Sequence, residues 1–185
     1  MRRSACIAFT AIMAALAFLI SLARIEVPFY PLIYLKFDFA EIPSTLTFLL
    51  LGPSWSYICA TIHYFGLLAR SGDPLGPTMK YLAVISMLAG MSLYRSKTLV
   101  SFVLGALARI AVMSIANIIV VGFLFPSWLS FIKFLLESVG LSLTQDWEVL
   151  LVAVLLTAVY NAIHTILSVV PSWIIDREVK KRVQV

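Results

Sequence analysis

The chain has 185 residues, of which 62% are hydrophobic and only 12% charged, with a mean hydropathy of +1.01 and a formal net charge of +5. A soluble domain carries about a quarter charged residues, so the composition excludes that class and predicts an integral membrane protein, one helical domain spanning 1–185. The positive charge does not point to nucleic acid, because the basic residues sit at the ends and in short turns, as topology signals do, with no interleaved basic groove.

The first apolar span, Ala5 to Ala23, contains no charge and is too long for a signal-peptide core, and no credible cleavage site follows it. It reads as a retained transmembrane helix. Ala8, Ala11 and Ala15 recur along it, with Ala14 and Ala17 beside them. Small residues four apart let another helix approach closely. Such a stripe suits either internal packing or an outward face that docks a partner.

Next comes Leu35-Lys36-Phe37-Asp38-Phe39-Ala40-Glu41-Ile42-Pro43, where three charges alternate with apolar and aromatic residues. Alternation predicts an extended segment with one polar face. Pro43 suits the first turn of a helix, where its missing N–H costs nothing, and Asp38 and Glu41 then lie near the positive end of that helix. An amphipathic, aromatic-bearing loop of this kind is suited to capping a pocket.

Ile42 to Ala69 is long enough for one tilted helix but contains Gly52-Pro53. Gly-Pro is a strong breaker, so a short helix over Pro43–Leu51 followed by a second over Ser54–Ala69 is the alternative. The short piece covers roughly half of the ~30 Å hydrocarbon core and needs protein around it or a cavity beside it. Pro77–Tyr94, Thr98–Phe125 and Val149–Ile175 complete the apolar spans. The segment from Pro126 to Glu148, with Trp128 and Trp147, is predicted to lie along the membrane interface.

Basic-residue counts do not separate five spans from six. Six spans place Arg2, Arg3, Arg95, Lys97, Arg177, Lys180, Lys181 and Arg182 inside. Five spans divide the charges equally well, and Arg2 and Arg3 tip the choice to six with both termini cytoplasmic. That orientation places Glu26, Asp38, Glu41 and Asp73 among the residues outside.

Polar groups inside a membrane are the default functional candidates. Arg109, Met113 and Asn117 share one face of the fifth span, and Asn161, His164 and Ser168 share one face of the sixth. Two such stripes meeting across a bundle offer hydrogen bonds to a flat, uncharged ligand, although asparagines also tie membrane helices together. Arg109 has no acid within a predicted helix to neutralise it, so it is expected to snorkel toward the cytoplasmic side and to serve structure or docking. Cys6 and Cys59 read as buried thiols. Cys59 and His63, four apart, are two ligands at most and do not make a metal site. A catalytic alternative, an intramembrane enzyme using His63 or His164, has no local motif behind it. The chain also has no phosphate loop with which to use ATP itself.

Taken together, these residues resemble the riboflavin-specific substrate-binding subunit, or S component, of energy-coupling factor (ECF) transporters. The stretch Ala11 to Phe18 resembles the family's first helix with its Ala-x-x-x-Ala motif, here Ala11 and Ala15. Leu35–Pro43 resembles the loop entering the second helix, with Leu51-Gly52-Pro53 at the expected distance. Asn117 falls where the family has a fifth-helix asparagine, and Asn161-Ala162-Ile163-His164 resembles its Asn-x-x-Lys. The resemblance implies an all-α membrane protein of six transmembrane helices, the second one short, with a pocket capped by the loop between the first two. It implies substrate contacts from Leu35, Lys36, Phe37, Asp38, Asn117, Asn161 and His164. It further implies docking through Ala11 and Ala15 onto a transmembrane coupling subunit driven by two ATPases. Riboflavin, or in the alternative another vitamin or precursor of similar size, would be the cargo rather than a cofactor, nothing would be catalysed, and the protein would reside in the cytoplasmic membrane. His164 departs from the pattern, standing where lysine is usual, and Gly76–Tyr81 replaces a stretch that usually carries glutamate and asparagine.

Overall fold

Gly52–Pro53 divides the second apolar stretch, and that division brings a loop and a helix start into the middle of the molecule. The computed structural model describes residues 2–183. In chain order the elements are α1 (Arg3–Ala23), the strands β1 (Val27–Pro28) and β2 (Lys36–Phe37), then α2 (Ile42–Leu51), α3 (Pro53–Arg70) and α4 (Leu75–Ser92). They continue with α5 (Thr98–Asn117), a π-helical extension of it (Ile118–Leu124), α6 (Trp128–Glu137) and α7 (Asp146–Val183). Pro43 lies in the first turn of α2. Gly52 ends that helix at φ +96°, a conformation that favours glycine, while its N–H donates to the Phe48 carbonyl at 3.0 Å. Pro53 then opens α3, so the two-helix alternative describes the chain.

Arg3–Ala23, Thr98–Leu124 and Asp146–Arg182 are long and apolar enough to cross a membrane. Their outward faces carry large apolar side chains, among them Ile12, Leu19, Leu107, Ile115, Leu155 and Ile166, which suits contact with lipid tails. Helix α2 is the shorter apolar one. It is shielded by α3 on one side and α7 on the other, as a fragment too short to span the hydrocarbon requires.

Two apolar clusters organise the interior. One joins Leu32 of the α1–α2 loop to Val120, Val121, Ile132, Leu136, Val149 and Ala153; the other joins Phe48, Ala60, Val84, Met87, Leu88, Met91 and Val169. Along α5 and α7 a polar layer containing Arg109, Asn161 and His164 lies between them. The segment Pro126–Glu148 is partly helical. It contains α6, whose Ile132, Leu135 and Leu136 are buried in the first cluster. The extended segment also proves shorter than the alternation suggested. Only Lys36–Phe37 forms a strand, paired antiparallel with Val27–Pro28, because Asp38 Oδ1 accepts the Ala40 N–H and turns the chain toward α2.

Helix α4 packs on α5 through two glycines. A Cβ on Gly90 would stand 2.3 Å from the Leu104 carbonyl oxygen and 2.7 Å from Ala108 Cβ, and one on Gly105 would stand 2.6 Å from Met91 Cγ. Replacing Gly90 with alanine is predicted to lower stability by about 1–3 kcal/mol, the usual range for overpacking. Gly72→Ala, with open space at its Cβ, is predicted to change little. Thermal unfolding in mild detergent measures both, and equal melting of the Gly90 variant and wild type would show that the two helices separate freely.

Candidate ligand-binding site

The site is built around Arg109, which is 1% exposed. Its guanidinium grips Glu41 as a fork, Nη1 donating to Oε2 at 2.5 Å and Nη2 to Oε1 at 3.0 Å. Its Nε donates to Asn161 Oδ1 at 2.9 Å, and Nη2 lies 3.3 Å from His164 Nδ1. Ser168 Oγ donates to Glu41 Oε2 at 3.0 Å. Arg109 therefore does not snorkel: its neutralising acid comes from the start of α2, which the Gly52–Pro53 break allows to enter the bundle. Glu41, which immediately precedes α2, has a fully buried side chain. Forked Arg–carboxylate bonds are the strong, directional form of the ion pair.

The same loop is tied to α7 by its backbone. Tyr160 Oη donates to the Lys36 carbonyl at 2.7 Å, and His164 Nε2 lies 3.1 Å from the Asp38 carbonyl. A carbonyl only accepts, so this contact places the proton on Nε2 and leaves Nδ1 to accept from Arg109. The Asp38 carboxylate pairs with Lys80 of α4, and Lys36 pairs with Glu26 at 2.8 Å. Glu41, Asp38 and Lys36 thus fasten one short segment to three helices and to its own ribbon.

Above this polar layer opens a cavity of about 640 Å³, within the ~300–1,000 Å³ typical of small-molecule pockets. Tyr34, Leu35, Lys36, Asp38 and Glu41 line it from the loop; Met79, Lys80 and Ala83 from α4; and Arg109, Met113, Asn117, Val120 and Val121 from α5 and its extension. Thr157, Tyr160, Asn161 and His164 line it from α7, and Trp128 from the start of α6. The Tyr34 and Trp128 rings, 6.4 Å apart, give it an aromatic corner. The wider π-helical turn after Asn117 presents the adjacent Val120 and Val121 to the same space.

Of the residues implicated by sequence, Leu35, Lys36, Asp38, Asn117, Asn161 and His164 all border this cavity. Phe37 is not among its lining residues. It stacks on Tyr160 at 4.8 Å and meets Phe29 and His164 edge-on at 5.7 Å, bracing the loop from the side. Asn161 and His164 spend much of their hydrogen-bonding capacity on Arg109 and backbone carbonyls rather than on open space. Ala11 and Ala15 lie on the exposed face of α1, while Thr10, Ala14 and Ala17 point inward. His63 Nε2 lies 3.0 Å from Ser21 Oγ, and Ser44 Oγ donates to Cys59 Sγ at 3.6 Å. Among the described residues no carboxylate hydrogen-bonds His63, and no group of three or more His, Cys, Asp or Glu is placed to hold a metal.

Sequence reasoning missed Glu41 as the partner of Arg109, and Tyr34, Lys80, Trp128 and Thr157 as lining residues. The Glu41–Arg109 separation of 68 positions leaves no local signal. Removing one member of a buried pair strands the other, typically at 3–5 kcal/mol, whereas a neutral replacement of both is often tolerated. Arg109→Met is therefore predicted to destabilise the protein by about 3–5 kcal/mol, with the Glu41→Gln/Arg109→Met double variant recovering most of the loss. Melting curves in detergent test this, and a single variant as stable as wild type would show that the pair is dispensable.

The family model described as "ECF transporter, substrate-specific component" matches residues 6–173. Over 112 residues the chain is 30% identical to the riboflavin transporter RibU of Staphylococcus aureus (strain TCH60), an alignment covering 57% of this chain and 59% of that protein. The match thus extends over about three-fifths of the curated relative. A solved structure reported as "Structure and mechanism of the S component of a bacterial ECF transporter" superposes with a TM-score of 0.75 at 19% identity, covering 100% of both chains, which is a likeness of fold. The all-α architecture, the apolar outer faces and the family match together establish that this chain belongs to the substrate-specific components of ECF transporters, proteins of the cell membrane.

Proposed function

We propose that this chain is the substrate-binding subunit of a vitamin importer, that its cargo is riboflavin, and that it catalyses no reaction. The observation that carries the reading is the cavity of about 640 Å³, with an aromatic corner, aliphatic walls and a polar floor, closed on one side by the Tyr34–Glu41 segment. A flat heteroaromatic ring packs on aromatic and aliphatic walls, and a few fixed polar groups orient it. Identity to a riboflavin transporter supports this cargo over other vitamins of similar size. Leu35, Lys36, Asp38, Asn117, Asn161 and His164 form the substrate site in this reading, with Phe37 bracing the loop.

The single domain crosses the membrane six times, with α2 as a short inner piece, α6 outside the count and both termini cytoplasmic. The lengths of α3 and α4, 18 residues each, support this reading because each reaches roughly 27 Å at 1.5 Å per residue. Ala11 and Ala15 dock α1 onto a transmembrane coupling subunit, which two ATPase subunits drive. Their exposure, and the inward orientation of Thr10, Ala14 and Ala17, support an outward role.

Two measurements test these statements. Apo protein in detergent is expected to quench the fluorescence of added riboflavin saturably, and no quenching at micromolar protein would remove riboflavin as the cargo while leaving the transporter class intact. Replacing Ala11 and Ala15 with tryptophan is expected to abolish cellular uptake yet leave affinity within about twofold, since docking requires close helix approach. Parallel loss of uptake and affinity would place these alanines in internal packing.

A further inference from the structure

Helix α7 carries five hydroxyl side chains, and four of them have partners. Tyr160 donates to the Lys36 carbonyl, Thr165 to the Asn161 carbonyl, Ser168 to Glu41 and to the His164 carbonyl, and Ser172 to the Ser168 carbonyl. Threonine and serine within a helix commonly satisfy themselves in this way, on the carbonyl four residues back. Thr157 is the exception. It is 1% exposed, and its Oγ1 has no hydrogen-bond partner among the described residues.

Thr157 also lines the cavity. It lies one turn before Asn161, whose Nδ2 donates to the Thr157 backbone carbonyl at 2.9 Å, so its own main chain is occupied and only the hydroxyl is unspent. On α5, Asn117 donates through Nδ2 to the Met113 carbonyl at 2.8 Å, leaving Oδ1 available to an occupant of the same cavity. Thr10, whose hydroxyl is also unpartnered, is not among the lining residues. A buried hydroxyl without a partner is unfavourable unless something supplies one.

We propose that Thr157 Oγ1 is a ligand-binding hydroxyl. With Asn117 Oδ1 it receives a neutral polar group of the cargo, one that offers an N–H or O–H donor beside an acceptor, as an amide, an imide or a polyol does. This role for Thr157 rests on the vitamin-binding reading of the cavity. Neither protein group is charged, so this part of the pocket selects uncharged hydrogen-bonding chemistry, while Arg109 and Glu41 below it neutralise each other. Valine has nearly the shape of threonine without the hydroxyl and so isolates its contribution.

The test is a riboflavin fluorescence titration of wild type, Thr157→Val and Thr157→Ser in detergent, with melting curves taken with and without riboflavin. Thr157→Val is expected to raise Kd about tenfold, and Thr157→Ser to stay within about threefold of wild type. Without ligand the valine variant is expected to melt at or above the wild-type temperature, because an unsatisfied buried group has been removed. A smaller rise in melting temperature on adding riboflavin should accompany the weaker binding. Wild-type binding with an unchanged Kd for Thr157→Val overturns the assignment and leaves the riboflavin reading standing. Failure of wild type to bind riboflavin overturns both. A valine variant that loses affinity together with apo stability, and is not rescued by serine, also overturns it by making Thr157 a packing residue.

Discussion

The forked bond between Arg109 and Glu41 is the interaction on which the rest of the site depends. A buried guanidinium needs a carboxylate with matched geometry, and the carboxylate must itself be desolvated and held. Both conditions are met because three elements converge. Helix α5 presents Arg109, the start of α2 presents Glu41, and α7 presents Asn161, His164 and Ser168 to their remaining polar atoms. The pair therefore determines where α2 begins, and through it where the preceding loop must lie.

That constraint propagates to the cavity. Once Glu41 is anchored, Asp38 and Lys36 fall within reach of His164 and Tyr160, and their backbone carbonyls are captured by α7. The loop is then a wall rather than a tether. Its side chains divide by position. Leu35, Lys36 and Asp38 border the open volume, whereas Phe37 turns onto Tyr160 and Phe29 to hold the ribbon against α7. Apolar clusters flank the polar layer along α5 and α7, and the side chains of its ion pair, Arg109 and Glu41, are almost fully buried.

The polar layer also changes how its members are understood as binding groups. His164 and Asn161 lie on the cavity surface, but much of their hydrogen-bonding capacity is directed at protein partners. They hold the floor in place. A ligand resting on that floor meets aliphatic carbon, aromatic rings and the few polar atoms left unspent. Thr157 and Asn161, one turn apart on α7, differ in this respect: the Asn161 amide is bonded to Arg109 and to the Thr157 carbonyl, whereas the Thr157 hydroxyl has no partner among the described residues.

Composition alone determined the membrane class, since too few charges are present to solvate a soluble surface. Local rules settled much of the helical layout. Gly52–Pro53 broke the second stretch where glycine must adopt φ +96° and proline must open a helix, and Pro43 began α2. Helical spacing likewise put Arg109, Met113 and Asn117, four apart, and Asn161 with His164, three apart, on single faces that do border one cavity. Other features depended on residues far apart in the chain. Arg109 looked unneutralised because its acid lies 68 positions away at a loop end, and Phe37 looked like a pocket aromatic because alternation does not say which face meets which helix. The burial of one face of α6 has no local signal either, because it depends on Leu32, far back in the chain. Periodicity specifies which side chains share a face; only packing in three dimensions decides what that face meets, and so which polar atoms are spent and which remain free.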